Sequence, residues 1–194
     1  VSSLETAHLT DLDAAEEAAR VFLRTLGVDC DTPGTVLSPR RMAAAYAEMF
    51  TPREFEMTTF DNDEHYDEMV VVANIPVRSV CEHHLLPFTG IAHVGYLPAD
   101  RILGLSKFAR VVEMFAKRPQ VQERLTKQVT DWLDQQLAPK GVGVVVEAAH
   151  SCMSLRGANV DGTVTRTSSL TGAIRDLPAT RAEFFAAINE RSSR

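Results

Sequence analysis

The sequence predicts an α+β fold built on an antiparallel four-stranded sheet. Three observations predict it. Strand-length runs of Val, Ile and aromatic residues occur at 69–77 and 88–98, a second pair occurs at 142–149 and 164–170, and two segments with helical periodicity, 106–117 and 121–137, lie between the pairs. The order is β-β-α-α-β-β. Two hairpins separated by a helical pair leave open sheet edges and few residues for the second face, so the sheet is expected to close or stack by oligomerising.

Ahead of the sheet, residues 11–26 repeat apolar side chains at helical spacing (Ala15, Ala18, Ala19, Phe22, Leu23, Leu26) and stop at Gly27. Residues 32–37 read as a loop. Ser38 then reads as a helix N-cap with Pro39 at the first helical position, opening a helix that runs to about Phe50. The polar, acidic stretch 51–67 reads as irregular, which divides the chain into an N-terminal helical region, 1–66, and a sheet-bearing domain, 67–194. Within the domain, Val121, Leu125, Val129, Trp132, Leu133 and Leu137 mark one apolar helical face, more simply core than a cofactor box, and Pro119 separates this helix from the one before it. A last helix spans 180–190, and no repeat or low-complexity tract interrupts the chain.

At 194 residues, 45% hydrophobic and 24% charged, the chain can bury a sizeable core. A net charge of -6 argues against nucleic acid or an anionic membrane as a partner, so basic residues should matter only as a local pocket. The first twenty residues are acidic and amphipathic, unlike a secretory signal, and no apolar run approaches transmembrane length. Three cysteines do not make a disulfide framework, and a reducing cytoplasm is the expected compartment. Cys30 reads as a structural or incidental thiol.

Metal-binding side chains concentrate in two places, Cys81-Glu82-His83-His84 and His150-Ser151-Cys152, which hold two of the three cysteines and three of the six histidines. One tight turn brings Cys81 and His84 around a tetrahedral ion, and thiolate with imidazole suits zinc. If 141–153 is a strand, His150 and Cys152 share a face, so one can bind metal while the other addresses a ligand. Cys152 is the better third donor, because two Cys and one His leave a fourth position for water, which zinc makes acidic. The competing reading is a closed structural site with His83 or His150 as fourth ligand; the blander one has buried thiols and no metal.

The segments CEHHLLPFTGIAHVGYLP (81–98), GLSKFARVVEMFAKRPQVQERLTKQ (104–128), EAAHSCMSLRG (147–157) and TRTSSLTG (165–172) strongly resemble GTP cyclohydrolase I, with a weaker match around SPRRMAAAYAEMF (38–50). The resemblance implies the tunnelling fold, in which subunits join four-stranded sheets, each with two helices on one face, into a barrel. It further implies a homo-oligomer, a decamer of two stacked pentameric rings with active sites between subunits. It implies zinc held by Cys81, His84 and Cys152, with His83 and His150 free for proton transfer and Ser106 near the sugar of GTP. In that chemistry water adds to C8 of guanine, formate leaves, and ribose rearrangement with ring closure gives 7,8-dihydroneopterin triphosphate, the first step of pterin and folate biosynthesis.

The same resemblance assigns substrate binding to Gln122 and Glu123 of Gln122-Glu123-Arg124, with guanine recognition on Glu123, since one carboxylate can accept from both N1 and the exocyclic amine. Lys107, Arg110 and Arg156 correspond to phosphate-binding positions, and Arg41, with Arg40 beside it, to an arginine contributed across a subunit boundary. Taken alone, Glu123 and Arg41 read as ordinary helix-surface charges. Ala44, Arg78 and Ala158-Asn159-Val160 depart from the family pattern without touching the metal or proton-transfer residues. Two other readings keep these features: a non-catalytic nucleotide- or pterin-binding relative with structural zinc, and a tunnelling-fold enzyme acting on another purine or pterin.

Overall fold

A computed structural model describes residues 11–189, and the chain divides into two compact units, Val1–Thr51 and Pro52–Arg194. Residues 1–10, on which half of the leader reading rests, and Glu190, the expected end of the last helix, lie outside the described residues. In the first unit, α1 (Leu12–Thr25) is capped by Asp11, whose carboxylate accepts from the Asp13 and Ala14 amides at 3.2 and 2.9 Å. It ends where Gly27 takes φ 84°, a conformation that favours glycine. The second helix, α2 (Ser38–Phe50), has Leu37 at its N-cap with no side-chain cap, which puts Ser38 one position further into the helix than the sequence predicts. Arg40 bonds Asp13 at 2.5 Å and lies 3.5 Å from Glu16, tying α2 to α1.

The second unit carries β1 (Thr59–Asp61), β2 (Val70–Cys81), β3 (Pro87–Leu97), β4 (Arg101–Leu103), α3 (Leu105–Ala116), β5 (Pro119–Gln120), α4 (Gln122–Leu137), β6 (Gly141–His150), α5 (Ser151–Ser154), β7 (Thr165–Leu170), α6 (Gly172–Asp176) and α7 (Pro178–Asn189). Its main sheet runs β5-β2-β3-β6-β7, so the expected four antiparallel strands are present with a fifth, two-residue strand added in parallel at the β2 edge. Pro119 breaks the helical pair as expected, and the residues it leaves extended are the ones that pair with Val80 and Cys81. The stretch 51–67, expected to be irregular, contains β1, which pairs with β4. Phe55 and Met57 pack against the sheet core, so residues 52–66 belong with the sheet unit.

The strands alternate as the pleat requires. Ala92, Val94 and Tyr96 of β3, with Val142, Val144 and Val146 of β6, meet Phe108, Val111, Leu125, Val129 and Leu133 of α3 and α4 in the main core. A smaller cluster on the opposite face brings Phe184 and Ile188 of α7 over Val145. The C-terminal segments therefore cover part of a face that the sequence left bare. Gly95 and Gly143 make this possible: a Cβ at either would come within 2.8 Å of the Phe184 ring. Phe184→Ala should lower stability by about 3–5 kcal/mol, read as a shift of the urea midpoint.

β2 carries a bulge between Val72 and Ile75, where Asn74 takes φ 59° and donates its amide to His93 Nδ1 at 3.4 Å. Burial pushes the His93 pKa down, opposed by nearby Glu147 and assisted by Arg166. The unfolded chain then binds a proton that the native state resists, so His93 contributes stability that is present above about pH 6.5 and lost as pH falls through its lower folded pKa. The urea midpoint should fall less between pH 7.5 and 5.5 in His93→Gln than in the wild type.

Candidate metal centre

β3 sets the site, because it pairs with β2 on one side and β6 on the other, in register at Ser79↔Phe88 and Phe88↔His150. The two neighbouring strands therefore end at the same edge of the sheet. β2 stops at Cys81 in a turn closed by Cys81 N–H donating to Leu86 O at 2.9 Å and by Leu85 N–H donating to Cys81 O at 2.8 Å, with Leu85 at φ 53°. β6 stops at His150, and a single helical turn begins at Ser151. The strand expected to carry His150 and Cys152 on one face thus ends between them, and the two side chains are given different surroundings.

Cys81 Sγ, Cys152 Sγ and a ring nitrogen of His84 lie within 4.8 Å of one another, and Cys81 Sγ is 3.9 Å from His84 Nδ1. Ligand atoms around a tetrahedral ion with bonds near 2.0–2.3 Å sit roughly 3.3–3.8 Å apart, so the group fits a metal after only small side-chain movement. Among the described residues the group stops at three donors. His83 and His150, the fourth donors a closed site would use, are not in that group. Burial and the adjacent Cys81 sulfur push the Cys152 thiol up, with Arg156 opposing. A divalent cation beside the Cys152 sulfur would oppose that rise.

His150 is half-buried and stacks on Phe88, with ring centres 4.5 Å apart and planes 12° off parallel. Its Nε2 lies 2.8 Å from Gln122 Oε1. Desolvation pushes its pKa down, against the opposing Glu123 carboxylate, which favours neutral imidazole near pH 7. Glu123 itself is exposed in the first turn of α4, where the helix dipole favours a negative charge. Gln122 is buried, its amide nitrogen donating to Val146 O and Thr165 O. His83 is exposed, with its Nδ1 3.9 Å from Cys81 Sγ.

Ser106 is exposed in the first turn of α3, and Lys107 and Arg110 follow on the same helix, both half-buried. Arg110 Nη1 sits 3.6 Å from Glu113 Oε2, and Glu113 is also gripped by Arg53. Arg156 is exposed in the loop after α5. Arg41 is exposed on α2 of the first unit, where Ala44 is exposed too, and Arg78 is exposed on β2. The loop of Ala158-Asn159-Val160 is closed by Val160 N–H donating to Met153 O at 3.1 Å.

Two contacts escape sequence reasoning. Arg124 pairs with both oxygens of Glu82, one bond measuring 2.9 Å, and so fastens the metal-side turn to the start of α4. Phe88, buried in the core, also forms the wall behind His150. The only sequence signal for either is adjacency: Glu82 follows Cys81, and Arg124 follows Glu123.

The profile of the GTP cyclohydrolase I family matches residues 15–189. The chain belongs to that family. Relatives named GTP cyclohydrolase 1 include one from Sulfurihydrogenibium sp., 48% identical over 92% of this chain and 96% of its own length. Another, from Mycobacterium tuberculosis, is 49% identical over 89% of this chain and 88% of its own length. A third, from Rhodopirellula baltica, is 46% identical over 94% and 81%. As an enzyme of this family the chain brings together Cys81, His84 and Cys152, a group that could hold a metal. Among the described residues no helix is long and apolar enough to cross a membrane.

The geometry makes a direct prediction about metal. Titrating Co²⁺ into metal-free protein should give thiolate-to-metal charge-transfer absorption saturating at one ion per chain, and Cys152→Ser should weaken binding by roughly 100-fold or more, exceeding the usual loss from a supporting residue.

Proposed function

We propose that this chain is a zinc-dependent hydrolase that opens the imidazole ring of GTP, releases formate and yields 7,8-dihydroneopterin triphosphate, entering pterin and folate biosynthesis. The observation that carries the reading is the three-donor group of Cys81, His84 and Cys152, with neutral-leaning His150 and the carboxylate of Glu123 beside it. Two thiols and an imidazole match zinc, which when bound supplies Lewis acidity and a water acidic enough to ionise near neutral pH.

The chain's own side chains supply the rest. Glu123 accepts hydrogen bonds from guanine N1–H and the exocyclic amine, which fixes the ring and selects guanine. Lys107, Arg110, Arg156 and Arg41 hold the triphosphate, the arginines through their planar forks. His150 moves a proton to the imidazole nitrogen of guanine as its bond to C8 breaks, and His83 relays protons on the solvent side. Gln122 lies behind the guanine end of the site, its side chain against His150, and Ser106 sits at the sugar. Two waters are consumed in the hydrolytic steps and one is released when the rearranged ribose carbons close the new ring.

Assembly belongs to this reading. The main sheet ends in β5 and β7, and Leu155, Val160 and Val164 are exposed on the segment that follows the metal-side helical turn. We take these surfaces to be covered in a homo-oligomer, a decamer of two pentameric rings with sheets joined as a barrel, in which Arg41 reaches a neighbouring subunit's site. The expected compartment is the cytoplasm, where the thiols stay reduced.

Purified protein with zinc should convert GTP to formate and a product that is fluorescent after oxidation. His150→Ala should cut kcat by about 10²–10⁴-fold while zinc content is unchanged. Zinc and GTP bound without formate release would instead identify a non-catalytic relative. Light scattering should give the mass of ten chains.

A further inference from the structure

The side chain of Gln122 is 2% exposed, and both ends of its amide are engaged. Its Nε2 donates to Val146 O at 3.1 Å and Thr165 O at 2.9 Å, with Thr167 Oγ1 at 3.2 Å. Carbonyl oxygens only accept, so the nitrogen of the amide must face them. The other end is therefore Oε1, an acceptor without a hydrogen, and it lies 2.8 Å from His150 Nε2. The contact is a hydrogen bond only if Nε2 carries the hydrogen. Turning the amide over would set its oxygen against two carbonyl oxygens in a buried place, acceptor against acceptor.

We propose that Gln122 is a positioning residue that locks His150 in one orientation as the Nε2–H tautomer, leaving Nδ1 as the ring nitrogen outside that contact. Stacking on Phe88 fixes the plane of the ring, and the Gln122 bond fixes its rotation about that stack. Thr167, which bonds Thr126 at 2.7 Å, and the backbone of β6 and β7 hold the amide in turn, so orientation passes from the sheet to the imidazole. The inference rests on the proposed role of His150 in hydrolysis and deepens it. A ring with Nε2 occupied begins as an acceptor at Nδ1.

Neutron diffraction from deuterated, zinc-loaded wild-type crystals tests this without any variant. Deuterium on Nε2 aimed at Oε1 is expected; a bare Nε2 overturns the proposal. Gln122→Met gives the kinetic test, with kcat on GTP falling roughly 10–100-fold while the KM for GTP and the zinc content stay within about twofold. A raised KM with unchanged kcat would make Gln122 a substrate contact and also overturn it. If the wild type releases no formate from GTP, the hydrolase reading fails while the neutron result still decides the tautomer; turnover with a bare Nε2 fails this inference alone.

Discussion

The position of β3 between β2 and β6 is the constraint on which the rest depends. Because β3 pairs antiparallel with both, Ser79 and His150 are each brought opposite Phe88, and the two flanking strands finish at one sheet edge. The seventy residues between the Cys81 turn and Cys152 are thereby reduced to a few ångströms. A slip of one residue in either ladder would reverse every side chain of that strand and separate the donors. The buried Val, Ala and Tyr positions of β3 and β6 hold the register from the helix side, and Phe184 over Gly95 and Gly143 holds it from the other.

The chemistry at that edge follows from charge held in partial burial. Two thiols kept together favour a cation, the Glu82 carboxylate ties the metal-side turn to Arg124, and Glu123 stands at the favourable end of the helix dipole. His150 is desolvated enough to lean neutral yet feels Glu123, so its proton affinity is a balance set by two elements, β6 and α4. The start of α4 thus does three tasks in three successive residues. Gln122 points into the fold, Glu123 toward solvent, and Arg124 back to the metal-side turn.

Much of this was legible from the chain. Helical periodicity located α1, α2, α3, α4 and α7 to within two residues at the ends that can be compared, because each buries one stripe against a sheet or a partner helix. The clustered Cys and His residues pointed to the candidate metal group that the fold brings together. Short elements were not legible: β1 and β4 are three residues each and β5 two, and their pairing depends on where distant chain happens to pass. The same is true of the α6 and α7 cover, since a Phe seeking two glycines across a sheet leaves no periodic trace.

Composition and spacing by themselves determined the α+β class, the order of its principal elements and which Cys and His side chains to look to for a metal group, since each rests on side-chain chemistry or on a local period. Only the tertiary structure decided that β6 ends between His150 and Cys152, so that one turns to Gln122 and the other to Cys81. It also decided which end of the Gln122 amide meets the imidazole. Orientation of that kind is fixed by hydrogen-bond partners from β6 and β7, and the linear chain carries no record of their distance or direction.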